Sequence, residues 1–517
     1  MRRFGLRVSI LIVLLSSGMV CHAALSQIDK LVLAKQTQTG FPPSELCSDE
    51  VFVRRVFLDT IGTLPTAKEV RDFLRSNEAQ KRKVLIDYLL EREEFADYWA
   101  LKWCDLLRVK AEFPSNLWPN AVQAYHHWVR DAIHQNRPYD QFVRALLTTS
   151  GSNFRDPPVN FYRPFQERSP RLIFDTVALL FMGVRLESGV WSEEEMLGME
   201  AFFAKIGYKK TAEWKEEIVY FDMAKEFLHP ETGNPVVPRL LGENLVTLSE
   251  VEDPRVAFAD WLTAKDNPWF SQAICNRVWF WLMGRGIIHD VDDIRPDNPP
   301  WSEELLVYLQ KELTGNAYDL KHLFRVILNS DTYQRSSAST AENVSDVAGF
   351  SHYRVRRMDA EVLIDAIGQI TGTGEEYTSA IPEPFTYISS KQRSITLADG
   401  SIGSSFLELF GRPGRNTSHE SDRNNDVSVF QTLHLLNSSH IQDKIMKSWK
   451  LKMLMKKTPQ FRGRITALYL QILSRHPTAE EINFAQDYQR SNKMTANDAT
   501  LDMVWALINS TEFILKH

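Results

Sequence analysis

The side chains best able to do chemistry crowd into the run from Arg412 to Asp426. There Arg412, Arg415, His419, Glu420, Asp422 and Arg423 bring guanidinium forks, an imidazole and carboxylates together, with Asp426 just beyond. Carboxylates suit hard divalent cations, and Arg forks suit carboxylate, sulfate or phosphate groups. The Gly-Arg-Pro-Gly sequence from Gly411 to Gly414 sets a fixed turn at the start of the run. These six residues are the candidate binding set. The competing interpretation is a solvated loop held by its own salt bridges, since surface charge runs rarely need more.

Other polar clusters point less clearly to a ligand. Asp290, Asp292, Asp293 and Asp297 form an acidic loop beside His289. It lacks the Gly and the terminal Glu of a calcium-binding helix–loop–helix, and helix capping with pairing to Arg285 or Arg295 accounts for it as well. His126 and His127 fall in a helical pattern, where neighbours point about 100° apart and do not easily share a metal. The chain has no His-Glu-x-x-His, no Gly-x-Ser-x-Gly elbow, no phosphate loop and no Gly-x-Gly-x-x-Gly. An enzyme assembled from distant residues is not excluded by that absence. No catalytic set, cofactor or metal site is assigned.

These side chains must be placed by an ordinary globular scaffold. The 517 residues are 44% hydrophobic and 24% charged, which leaves room for two or three domains with real cores. Arg2, Arg3 and Arg7 precede an apolar run, Val8 to Leu15, and small residues offer cleavage after Ala23. The run is shorter than the roughly 20 residues a spanning helix needs. Acylation of Cys21 would want a small residue where Val20 stands, so cleaved export to a periplasmic or secreted location is the expectation. Without residues 1–23 the chain loses three Arg and no acid, leaving 57 basic against 66 acidic residues, a net −9. That acidic balance argues against a nucleic-acid partner, and no later segment reads as a membrane span. Cys47, Cys104 and Cys275 form no disulfide framework; one bridge or three buried thiols are both open.

The periodicity predicts a mainly α protein. After the signal peptide comes a linker at 24–46, then a first helical domain at 47–203. A less regular middle with a few short strands spans 204–253, and a second helical domain fills 254–517. Thr66 and Glu69 have the spacing of a capping box. Gly372 to Ser405 is Gly/Ser/Pro-broken and partly strand-like. Phe57 to Glu69 echoes Tyr469 to Glu481, and Tyr139 to Ser150 echoes Tyr318 to Ser330. A duplicated helical unit and convergent capping chemistry both explain that echo.

One block, Asn276 to Ser337, is dense in Trp, Gly and Pro and carries a family resemblance. Asn276-Arg277-Val278-Trp279, Gly284-Arg285-Gly286-Ile287, Asp292-Asp293, Pro299-Pro300 and Asp319-Leu320-Lys321-His322-Leu323 resemble the second of two paired domains of unknown function in secreted planctomycete-type proteins. Arg54-Arg55, Phe57-Leu58-Asp59, Leu64-Pro65-Thr66, Trp99, Trp103 and Tyr139-Asp140-Gln141-Phe142 resemble the first. Arg356-Arg357 and Phe410-Gly411-Arg412-Pro413 extend the match, which covers most of the mature chain.

The departures from that family matter more. Many relatives carry a cytochrome c domain ahead of the pair, and this chain is expected to lack one. After Leu186, relatives usually show Cys-x-x-Cys-His, whereas here Glu187-Ser188-Gly189-Val190-Trp191 follows. A second Cys-x-Cys site is replaced by His419-Glu420-Ser421-Asp422-Arg423. Covalent haem needs two thiols and an axial His in local spacing, so no haem role carries over.

The expected function is an exported non-haem binding or scaffold protein of a planctomycete-type extracytoplasmic assembly, linked to polysaccharide or cell-surface material. Secreted sulfatase-like proteins and glycans are partners implied by the resemblance alone. The alternative is a hydrolase-like enzyme using residues 412–426 with a divalent cation.

Overall fold

Capping chemistry divides the chain into helices. Thr66 and Glu69 form the expected capping box before the helix Ala67–Arg75, and Thr478 with Glu481 repeats it before Ala479–Ser491. Each box satisfies amide donors that a helix start leaves open. Ser48, Ser330 and Ser510 cap Asp49–Ile61, Asp331–Gln334 and Thr511–Ile514 in the same way with one hydroxyl each. The echo between the two halves is therefore matched by the same cap chemistry in both copies.

The structure, a computed structural model, describes residues 25–242, 249, 251–389 and 391–517. The leader read at residues 1–23 lies outside them. Among the described residues the fold is mainly α, with twenty-three α-helices and five short strands. Ile206–Lys210 and Glu217–Phe221 pair antiparallel in the irregular middle, and Gly151–Ser152 adds to the outer edge of Glu217–Phe221. A second sheet joins Arg356–Arg357 to Leu515–Lys516, which draws the C-terminus back to the centre of the chain.

Two segments differ from their sequence reading. The stretch 24–46, read as a linker, contains the helix Gln27–Thr39, started by Ser26 and anchored by buried Ile28 and Val32. Its Asp29 accepts from the backbone and hydroxyl of Thr332, each at 2.8 Å. Among the described residues, the partly strand-like stretch 372–405 forms only one bridge, between Thr378 and Gly403. Pro382 and Pro384 remove the donors a ladder would need.

Buried side chains from both sequence halves form one cluster. An aromatic seam joins them: Trp281 lies 4.9 Å from Trp99 and 6.0 Å from Trp103, ring centre to ring centre. Burying such large apolar surfaces is what holds the halves against each other. The Trp, Gly and Pro positions of the Asn276–Ser337 block serve this packing. Asn276 clamps its turn by exchanging two hydrogen bonds of 2.9 Å with the backbone of Ile288. The apolar helix after Pro170 runs to Val177 and then widens into a π turn, Ala178–Met182. Arg277 donates to the Leu180 and Leu179 carbonyls there at 2.6 and 3.3 Å. No helix among the described residues is long and apolar enough to cross a membrane.

Candidate functional site: a charged cleft between the halves

Tyr98, Lys102 and Asp105 recur at four- and three-residue spacing on the helix Glu93–Leu106, so they form one stripe. That stripe meets the start of Ala360–Thr371, where Asp359 and Glu361 are both buried. Asp359 Oδ2 accepts from the Tyr98 hydroxyl at 2.7 Å and pairs with Lys102 Nζ at 2.9 Å, while its Oδ1 accepts from Asn425 at 2.8 Å. Burial alone would raise the Asp359 pKa; Lys102, Arg423 and Lys516 overcome that and hold it well below the usual carboxylate range.

The run 412–426 packs its arginines into this wall. Arg415 is fully buried, donating to Asp105 Oδ1 at 2.8 Å and to the Val109 and Ala398 carbonyls. Arg423 grips Glu361 with both Nη atoms, at 2.7 and 3.1 Å, and also reaches Asp105. Arg412 donates to the Ile402 carbonyl and sits 3.5 Å from Glu361. Asp105 is held low by Arg423 and Arg415 against the upward pull of burial. The solvated loop held by its own salt bridges is therefore corrected.

The acidic members of the run part company. Glu420 faces the cleft, where burial raises its pKa, Lys102 lowers it and Asp292 raises it again. Its backbone N–H approaches Asp292 Oδ2 at 3.4 Å. Asp422 is exposed and accepts from the Thr417 hydroxyl, and His419 is half-buried. Thus Arg412, Arg415 and Arg423 build the wall, Glu420 faces inward, and His419 and Asp422 stand apart from it.

Further cations close the cleft. Asp59, completely inside the helix Asp49–Ile61, accepts from Tyr353 at 2.7 Å and Tyr333 at 3.0 Å, and pairs with Lys516 at 3.2 Å. Arg356 lies 3.5 Å from the same carboxylate and donates to the Trp281 and Leu282 carbonyls at the end of Phe270–Met283. Gly284 leaves room for this crossing: its φ is +76°, and a Cβ there would come within 2.6 Å of Arg356 Cδ. Arg354 stands exposed at the rim with no ion pair among the described residues. Arg285 is near enough that Arg354, after burial, lowers its pKa.

The cleft has a volume of about 500 Å³, and six basic side chains line it against three acidic ones. Behind the lining, Arg412 and Arg415 pair with Glu361 and Asp105, while Asp59 draws on Arg356 and Lys516 of the lining itself. A surplus of positive charge remains. Trp281, Phe280, Tyr98 and Trp99 supply aromatic surface in the same cleft. Its volume falls within the range of small-ligand pockets.

The acidic-loop residues are held by ion pairs. Asp293 and Asp297 pair with Arg295 at 3.2 and 3.4 Å, as one alternative expected, whereas Asp292 pairs with buried Arg277. Among the described residues no three His, Cys, Asp or Glu side chains form a metal-holding group. Cys47, Cys104 and Cys275 are free and buried, which answers the question of a bridge. Sequence reasoning did not single out Lys102, Asp105, Asp359, Glu361 or Lys516 as site residues. Charged residues standing inside otherwise apolar helical stretches were the available signal.

These features define a mainly helical protein with a charged cleft lined by residues of both its sequence halves. Residues 27–187 match the family described as a protein of unknown function, DUF1549 (PSCyt2), and residues 254–489 match a second, DUF1553 (PSD1). The chain belongs to the paired planctomycete-type proteins of unknown function. The first matched segment contributes Asp59, Tyr98, Lys102 and Asp105, and the second contributes Asp359, Glu361, Arg412, Arg415, Glu420 and Arg423. No curated protein and no solved structure matches the chain.

Proposed function

We propose that this chain is an exported, non-haem binding component of an extracytoplasmic assembly, and that the cleft between its halves takes an anionic carbohydrate. The observation that carries the reading is the positive surplus of the cleft. A carboxylated or sulfated sugar meets it through charge-assisted hydrogen bonds. Export rests on Arg2, Arg3, Arg7 and the apolar run behind them; the absence of haem rests on the missing Cys-x-x-Cys-His after Leu186. Glycans and the sulfatase-like proteins that handle sulfated ones are the partner classes this ligand chemistry favours.

The test is a fluorescence titration with a sulfated hexasaccharide and an uncharged one of equal length. Selective binding of the sulfated probe, weakening as salt rises, is expected. No binding of the sulfated probe at millimolar concentration, or binding of it that rising salt does not weaken, overturns the reading.

A second reading is favoured by one observation. Glu420 is pushed up and Asp359 is pushed down while both line the same cleft, and carboxyls separated in this way serve as acid and base in hydrolases. Binding leads because both Asp359 oxygens are already occupied by Tyr98, Lys102 and Asn425. Chain shortening of the sulfated probe, abolished in Glu420→Gln, would put the hydrolytic reading first.

A further inference from the structure

A second cavity is lined by Ala398, Asp399 and Ile402, whose carbonyls accept from Arg415 and Arg412. Its volume is about 420 Å³, within the range of small-ligand pockets. Three nearly buried polar side chains in its lining have atoms without a partner among the described residues. Both ring nitrogens of His126, Oδ2 of Asp399 and Oγ1 of Thr386 are left open. Exposure of these residues is only 5%, 1% and 7%. Orphaned polar atoms at such depth are costly unless something hydrogen-bonds to them. Asp399 Oδ1, by contrast, is engaged by the Ala111 and Ser401 amides at 2.9 and 2.8 Å, so the carboxylate is fixed with one oxygen left open.

Aromatic surface adjoins this cavity. Phe385 and Tyr387 line it and are 48% and 77% exposed. Phe385 lies 5.5 Å from Trp118, which in turn lies 6.3 Å from Trp214, itself 68% exposed. Trp118 holds φ at +73°, a conformation that bulky residues rarely adopt. Strain of this kind persists where the surroundings enforce it, and it gathers at ligand sites. Here it presents the indole beside Phe385 and Trp214, with Lys215 over its face at 4.7 Å.

We propose that this cavity and its aromatic platform form a binding site for an uncharged carbohydrate, separate from the anion-binding cleft. Sugar rings stack on exposed aromatic faces, and their hydroxyls both donate and accept, as His126, Asp399 and Thr386 require. Charge selects the uncharged class. Asp399 is the one fixed charge in the lining, and His126 stays neutral because burial, then Arg415, depress its pKa to about 3. An anionic sugar would meet Asp399 unpaired.

The experiment is a titration of the full mature chain with neutral hexasaccharides of glucose, xylose and mannose, read by indole fluorescence and calorimetry. Trp214→Ala and Tyr387→Ala remove exposed rings and leave the core intact. At least one neutral probe is expected to bind, with affinity falling about tenfold in each variant. That binding is expected to be unchanged in Arg354→Glu, which alters only the other cleft. No binding of any neutral probe at millimolar concentration overturns the proposal, and so does unaltered binding in both aromatic variants. Loss of neutral binding in Arg354→Glu also overturns it, because the probe would then sit in the anion cleft.

Discussion

Arg423 and Glu361 meet through two hydrogen bonds, Nη1 to Oε2 at 2.7 Å and Nη2 to Oε1 at 3.1 Å, with Glu361 wholly buried. The same guanidinium reaches Asp105 on a helix of the other half. One side chain therefore joins the loop, the second half and the first. Replacing Arg423 by Met leaves two buried carboxylates short of a partner. A stability loss of about 3–5 kcal/mol in chemical denaturation is expected. Lys in its place should recover only part, since it lacks the planar fork. A loss below about 1 kcal/mol would show that the wall does not depend on this joint.

Glu420 and Asp359 give opposite pH signatures. The folded state raises the Glu420 pKa, so its stabilising contribution is complete below the ordinary value and disappears as pH rises through the folded value. Glu420→Gln should raise the melting temperature at pH 7 and leave it unchanged near pH 4. Asp359 is depressed, so its contribution is present above the ordinary value and is lost as pH falls through the folded one. Asp359→Asn should lower stability at pH 7, with the gap to wild type closing in strong acid. Melting curves across pH for both variants check the two signs together.

The buried thiols should be silent in the native protein. Burial pushes the Cys104 thiol up to about 12 and also raises that of Cys275. Neither should react with a thiol reagent at pH 8 until denaturant is added, because the thiolate is the nucleophile. Fast native labelling at Cys104, located by mass spectrometry, would contradict its packing beside the charged wall.

Gly411 controls how the run enters that wall. Its φ is +78°, and a Cβ there would collide with the Asn424 carbonyl, whose neighbour is Arg423. Gly411→Ala should cost about 1–3 kcal/mol by forcing strain or moving the loop. It should also weaken anion binding by displacing Arg423. A variant with wild-type stability and binding would mean that the turn is slack.

Much of the scaffold is visible in local sequence. Thr66 and Glu69 act within three residues of each other, so local chemistry reveals their capping box. Within the candidate set, Arg412, Arg415 and Arg423 were visible as residues but not as wall. Their partners lie on other helices: Asp105 is 310 positions from Arg415, and Glu361 is 62 from Arg423. Asp59 and Lys102 hide for a related reason. Each sits among apolar neighbours, and only the folded chain shows that another half supplies the opposite charge. The strand-like reading of 372–405 failed because β-like spacing there has no neighbouring strand to pair with.

The most direct test of the central claim uses Arg354, the exposed cation at the rim with no ion pair among the described residues. Calorimetry with a sulfated hexasaccharide should show at least about tenfold weaker binding in Arg354→Glu, with melting temperature unchanged. Unaltered affinity in a folded Arg354→Glu protein would contradict an anion site in the cleft.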